Sequence, residues 1–436
     1  MAVLTKIKHS ISYFPLLADV GAALSAFSWL QLAQLCYVST TVVIKSVYQY
    51  YRNGPRLPKW DLAIQLTVDL GSSLSKVVFP YQTNDDDIER IDFHKIVIAV
   101  RRWGDKKLAW PKEKGTYRSH NINTQEVEID ISKLADIEIV GTKLTNLAQN
   151  DMALQDPRIL ECEIILGNAA IQTLESHATN AGNLLDTVPV VKDEKIVLYF
   201  HGGGWILGNI ETHRGITDEI SQASGTRVVS VNYRLSPEHA FPAHLLDAYI
   251  SYCFLLKQGF KPSNIVVAGD SAGGQLALSL THLLRHIGAP VPAGLVLLSP
   301  ATDQRHIKYE HDAPAVLDYL MYMPVETPAS MVRLMIAPGQ PLSELMKREL
   351  ESPLISPIYG SFSGFPYTLI QTGGCECLLD GNIALCEKIR SQNPDVPDIV
   401  RQDVYDDMPH DFHLIFPYRR EASKSYKVIG EFINNL

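Results

Sequence analysis

The pattern of apolar and polar positions changes character near residue 191. Beyond it, short continuous apolar runs alternate with longer runs whose apolar residues recur at helical spacing. The short runs predict strands over Ile196–Phe200, Arg227–Asn232, Asn264–Ala268, Gly294–Leu298, Tyr367–Gln371 and Ile399–Val404. The longer ones predict helices over Ala243–Lys257, Gln275–His286 and Asn382–Arg390. Strands that alternate with helices imply a parallel sheet covered on both faces, and strands buried on both faces are apolar throughout. Residues 303–350, rich in Met, Leu, Tyr and Pro, break this rhythm and read as a cap inserted over the carboxyl edge of the sheet.

The pattern before residue 191 is less regular. Val20 to Ile44 is a run of 25 residues without Asp, Glu, Lys, Arg or His. As a helix rising about 1.5 Å per residue it is long enough to span a hydrocarbon core of about 30 Å. Phe27, Trp29 and Tyr37 lie within it, and Tyr48, Tyr50 and Tyr51 follow, as in an interfacial aromatic belt. The expectation is a membrane anchor over residues 1–52, with a buried or interfacial amphipathic helix as the alternative. Lys6 and Lys8 precede the run, whereas Lys45, Arg52, Arg56 and Lys59 follow it, a weak bias towards a cytosolic catalytic part. Residues 53–190 are assigned to an N-terminal cap and first strands, with Ile96–Val100 read as a buried strand. Arg101, Arg102, Lys106 and Lys107 beside Trp103 and Trp110 read as an exposed hairpin or a contact to lipid headgroups. Residues 191–436 form the catalytic core.

The net charge of −9, from 39 basic and 48 acidic residues, disfavours a nucleic-acid partner. Six cysteines in 436 residues do not make a disulfide framework, and no metal-ligand spacing accompanies Cys375 and Cys377. A mean hydropathy of −0.01 is high for a soluble chain, and the charge-free run and the cap account for it.

Chemistry is concentrated in three places. Gly269-Asp270-Ser271-Ala272-Gly273-Gly274 follows a predicted strand and precedes a predicted helix, the setting of a nucleophile elbow. His201-Gly202-Gly203-Gly204-Trp205 follows another strand, and its glycines leave backbone N–H groups unobstructed. The N–H groups of Gly202, Gly203 and Ala272 are the expected oxyanion hole, with His201 and Gly204 completing the motif. A phosphate-binding reading fails because the Lys-Ser/Thr of a P-loop is missing. For the base, the order Ser, acid, His selects His410, just past the last predicted strand, with His413 as the alternative. The acid belongs in the loop after Tyr367–Gln371, where Glu376 and Asp380 both qualify.

Together with Asn232-Tyr233-Arg234-Leu235-Ser236-Pro237-Glu238-His239, these motifs resemble the hormone-sensitive-lipase group of α/β hydrolases over roughly 195–420. The resemblance implies an α/β-hydrolase fold and a serine esterase that works without metal or organic cofactor. That group commonly reads Asp-x-Leu-x-Asp at the acid loop, so Glu376-Cys377-Leu378-Leu379-Asp380 sets Glu376 at the catalytic position and departs from the commoner Asp. The anchor, His-Gly-Gly-Gly-Trp and Glu351-Ser352-Pro353-Leu354 look most like fungal steryl acetyl hydrolases. That likeness implies a lipophilic acetyl ester as substrate and an endoplasmic-reticulum membrane location with a lumenal catalytic domain, against the charge bias above. A general short-chain carboxylesterase or lipase, an arylacetamide-type deacetylase, a non-enzymatic ligand receptor on the same fold and a membrane-tethered interaction protein are the alternatives.

Overall fold

The computed structural model describes residues 29–78, 85–90, 92–104, 115–177, 184–189, 191–305, 317–320 and 323–436. Its centre is an eight-stranded sheet. The strands are β1 (Thr116–Asn123), β2 (Ile159–Leu166), β3 (Ile196–Phe200), β4 (Arg227–Val231), β5 (Ile265–Asp270), β6 (Gly294–Leu298), β7 (Tyr367–Gly373) and β8 (Val400–Tyr405). They lie in the order β1-β2-β4-β3-β5-β6-β7-β8. β1 pairs antiparallel with β2 and β2 antiparallel with β4; every other pairing is parallel.

The helices used below are α1 (Trp29–Asn53), α2 (Leu62–Val78), α3 (Phe93–Gly104), α4 (Ile210–Ser224), α5 (Ala243–Lys257), α6 (Ser271–His286), α7 (Met331–Ile336), α8 (Leu379–Ser391) and α9 (Arg420–Asn435). The period-2 alternation of strand side chains divides the core into two layers. Leu198 and Phe200 of β3 point to the face that carries Leu245, Leu276 and Leu280, whereas Val197 and Tyr199 point to the face covered by Tyr426, Ile429 and Ile433 of α9. This two-sided burial explains why the central strands read as continuous apolar runs.

The N-terminal part departs from its expected form. Ile96–Val100 belongs to helix α3, not to a strand. A short apolar run does not distinguish a strand from one face of a buried helix; here Phe93 and Val97, one turn apart, pack with Ile206, Met323 and Leu334. Arg101 faces inward as well. Its guanidinium donates to Ile206 O at 2.5 Å, to Ser236 O and to Glu238 at 2.5 Å, so it is neither an exposed hairpin residue nor a headgroup contact. Lys106, Lys107 and Trp110 lie outside the described residues.

α1 takes up residues 29–44 of the charge-free run and continues through Lys45 to Asn53; residues 20–28 lie outside the described residues. Among the described residues, no helix is long and apolar enough to cross a membrane. α1 instead packs along α2, where the Asp69 carboxylate accepts from Ser46 and from Arg56 at 2.7 Å. The segment leading into α2 then docks on the core: Trp60 Nε1 donates to Asp407 O at 2.6 Å, and Trp60, Ile64 and Val68 join the layer that holds Met408 and Phe412.

Candidate active site

β5 ends at Asp270, and α6 begins at Ser271 without an intervening loop. Such a turn needs an unusual backbone, and Ser271 has φ +49, a left-handed conformation uncommon for a residue with a side chain. It also needs room. A Cβ on Gly273 would lie 1.9 Å from Phe200 O, so only glycine lets α6 start this close to β3. The result sets the Ser271 hydroxyl at the positive end of a sixteen-residue helix.

His410 meets this hydroxyl. Its Nε2 lies 2.9 Å from Ser271 Oγ, and its Nδ1 lies 3.0 Å from Glu376 Oε2. A carboxylate at Nδ1 holds the proton there and leaves Nε2 as the acceptor towards serine. Glu376 is wholly buried, and burial pushes its carboxyl up to about 7 against the opposing pull of His410. Asp380 stands in the first turn of α8, while the His410 nitrogens face Glu376 on one side and Ser271 and Asp411 on the other. His413 is engaged elsewhere: its Nε2 contacts Ser425 Oγ at 2.7 Å, and burial pushes its imidazole down to about 3.

The glycine loop is anchored rather than free. Gly202 N–H donates to Asp270 Oδ1 at 3.0 Å. Asp270 also accepts from Tyr199 OH and lies 3.2 Å from His213 Nε2. The assignment of Gly202 to an oxyanion hole therefore needs correction, because its only backbone donor is spent on a buried carboxylate. Gly203 and Gly204 follow with φ +108 and +62, and among the described residues neither N–H has a backbone acceptor. His201 shapes the loop, as its motif position implies. Its ring stacks on Tyr233 at 4.4 Å, its Nδ1 meets Gly202 O at 2.8 Å, and burial pushes it down to about 3.

A cavity of about 50 Å³ opens beside the serine. Gly204, Trp205, Ser271 and Ala272 form its floor, and Leu320, Met323 and Met331 reach it from residues 303–350. Trp205 is fixed by a hydrogen bond from its indole N–H to Gln275 at 3.0 Å. The alternating strands and glycines do not reveal three further acids. Asp270 sits inside the serine motif but acts on a different loop. Asp318 accepts from Cys377 N at 3.0 Å and from His410 N at 3.2 Å, joining the acid and base loops from the cap. Its signal in the sequence is a lone acid in Leu317-Asp318-Tyr319-Leu320, which gives no hint of its distant partners. Asp411 Oδ2 lies 3.2 Å from His410 Nε2 because φ +44 turns it back beside its neighbour, where an extended backbone would point it away.

Residues 197–414 match a family model described as alpha/beta hydrolase fold. An acetyl-hydrolase of Streptomyces hygroscopicus is 32% identical over 246 residues, covering 56% of this chain and 77% of the relative. An esterase of Acinetobacter venetianus is 30% identical over 248 residues, covering 56% and 75%. The crystal structure of an esterase from the bacterial hormone-sensitive lipase family superposes with a TM-score of 0.56 at 27% identity, covering 78% of this chain and 91% of that one. The chain is a serine carboxylic-ester hydrolase and belongs to the α/β-hydrolase-fold family, in its hormone-sensitive-lipase group.

Proposed function

We propose that the enzyme cleaves a short-chain, foremost acetyl, ester of a hydrophobic alcohol through an acyl-enzyme on Ser271. The observation that carries this reading is the continuous chain Glu376–His410–Ser271 at 3.0 and 2.9 Å, closed on a small cavity. His410 Nε2 takes the hydroxyl proton as Ser271 Oγ attacks the ester carbonyl. The imidazolium, held by Glu376, then gives that proton to the leaving alkoxide. A water repeats the sequence on the acyl-enzyme and releases the acid and Ser271. The N–H groups of Gly203, Gly204 and Ala272 hold the oxyanion, each worth about 10²–10³ in rate.

The cavity supports the acyl preference. Its volume of about 50 Å³ is far below the roughly 300–1,000 Å³ of sites for drug-sized ligands. This favours a small acyl group beside Ser271, with the alcohol placed towards the apolar cap residues Leu320, Met323 and Met331. Sterols are the proposed alcohols, presented as steryl acetates, with aryl acetates and short acylglycerols as the competing substrates. Membrane association, at the endoplasmic reticulum by the resemblance above, is proposed with them. Its support is a stripe on α1 of Tyr37, Ile44, Tyr48 and Tyr51, exposed by 72, 65, 58 and 60% at helical spacing.

The test is hydrolysis of a panel of steryl acetates, p-nitrophenyl acetate, butyrate and octanoate, and triacylglycerols by the purified full chain. Activity is expected to fall steeply beyond butyrate and to vanish in Ser271→Ala together with fluorophosphonate labelling. Full activity in Ser271→Ala sinks the mechanism; equal rates on acetate and octanoate sink the acyl preference.

A further inference from the structure

The mechanism uses one face of His410 for Glu376 and the other for Ser271, yet a second carboxylate shares the serine face. Asp411 Oδ2 is 3.2 Å from His410 Nε2, and Asp411 is itself buried. We propose that Asp411 is a positioning residue for the base, whose carboxylate on the Nε2 side sets the pH range over which His410 is free to take the proton of Ser271. This rests on His410 being the base of the reaction proposed above.

The argument begins with what Nε2 holds in each state. In the neutral imidazole Nδ1–H goes to Glu376, and the Nε2 lone pair accepts from Ser271 Oγ–H. An anionic Asp411 gains nothing from that lone pair. Once Nε2 is protonated, the same carboxylate faces an N–H with positive charge and holds it in a buried site where the attraction is poorly screened. Asp411 therefore favours imidazolium over imidazole. In the resting enzyme that proton blocks the base, and it must leave before Ser271 can be activated. During turnover the proton arrives from Ser271, and Asp411 helps Glu376 carry the charge until the leaving alkoxide takes it.

The surroundings fix the sign. Burial pulls the His410 imidazole down, and Asp411, followed by Glu376, overcomes it and raises the ring well above its ordinary value. Asp411 itself is pushed up to about 6 by burial, with His410 opposing and Asp270 adding to the rise. Other titratable groups face the pair. Asp270 from the end of β5 and His213 from α4 act on Asp411, while Tyr199 on β3 and Tyr426 on α9 stand close enough to feel it. From the cap, Asp318 accepts the His410 backbone N–H and the Tyr319 ring lies 6.1 Å from the imidazole. His413, pushed down by burial, also faces His410, and among the described residues no lysine or arginine belongs to this set of groups.

Asn is the informative replacement, since it keeps the shape, tolerates the left-handed φ of +44 and removes the charge. The experiment is the pH profile of kcat/KM on p-nitrophenyl acetate for wild type and Asp411→Asn. It is paired with NMR titration of the His410 ring in the full chain, assigned by its loss in His410→Gln. An opposite charge at this range typically shifts a titration by about one to three units. Asp411→Asn is expected to move the acid limb and the ring titration down together by about one unit or more, with the high-pH plateau within about tenfold. Asp411→Gly, which adopts the same backbone without strain, should reproduce the shift if Asn misfolds. A titration unchanged within 0.3 units, on the order of the precision that separates it from the expected shift, overturns the proposal. The NMR result reads Asp411 directly even if His410 is not the base, whereas activity surviving in His410→Gln removes the parent reading alone.

Discussion

The proposed nucleophile and the proposed base are held in place by different means. Ser271 is fixed by backbone: a φ of +49, a helix that starts on the residue, and Gly273 just after it, which lets the backbone pass close to Phe200 O. His410 is fixed by buried carboxylates. Glu376 holds one nitrogen, Asp411 flanks the other, and Asp318 holds the main-chain N–H. The serine side is set by sterics, and the acid within its motif, Asp270, turns to the glycine loop and His213 and not to the serine hydroxyl. The base side depends on charge, so its geometry and energy respond to pH and to single-atom changes in its acids.

Removing charge should therefore hurt most at the base. Glu376→Gln leaves the shape but presents an amide to Nδ1, favouring the wrong tautomer; kcat is expected to fall by about 10³–10⁴. Asp380→Asn, in the first turn of α8, should stay within about threefold, since it alters a helix terminus and not the imidazole. Steady-state rates on p-nitrophenyl acetate decide the pair. A larger loss in Asp380→Asn reassigns the acid and dissolves the contrast as drawn.

The same division explains how much the sequence reveals. The serine side is legible because its geometry is written in consecutive residues: strand, Gly-x-Ser-x-Gly, helix, with the glycines present for a local steric reason. The parallel sheet is legible because strands buried on both faces have an unmistakable composition. The base side is only partly legible. Chain order selects His410 but leaves Glu376 and Asp380 both open, with only the family resemblance favouring Glu376, and the partners of Asp318 and Asp411 depend on loops that meet only in the folded chain and on one left-handed φ. Gly202 illustrates the limit within a motif. Three consecutive glycines do not say which N–H is free, and Asp270, 68 residues away, decides it. Ile96–Val100 fails for a different reason, since five apolar residues fit either period.

Asp318→Ala is the next test in expected size. It leaves the N–H groups of Cys377 and His410 without their buried acceptor, a cost of about 1–3 kcal/mol for each group left unpaired. The acid and base loops should then lose their common register, lowering kcat by about 10–100-fold, of the order that a small misplacement of reacting groups costs. Slower fluorophosphonate labelling should accompany it, with KM for p-nitrophenyl acetate little changed. An unchanged labelling rate would mean that Glu376 and Ser271 hold His410 without help, and that the carboxylate at the backbone is a packing feature.

The smallest effect on turnover is expected at His413, and there the contrast can be tested through stability. His413 is buried against Phe412 and pushed down by burial to about 3, so in the folded chain it stays neutral where an unfolded histidine gains a proton. The unfolded state then binds more protons between pH 6.5 and about 3, and stability due to this group is complete above 6.5 and lost as pH falls. At pH 5 the loss is about 2 kcal/mol for one such histidine. His413→Gln keeps a donor for Ser425 and cannot titrate. Its urea-unfolding free energy should therefore drop less between pH 7 and pH 5 than the wild type's, by about that amount, while kcat at pH 8 stays within about threefold. His410→Gln should do the opposite, abolishing turnover. If His413→Gln abolished turnover as well, the base would not be His410 alone, and the charge-held half of the site would have to extend to the network of Ser425 and Gln371 behind it.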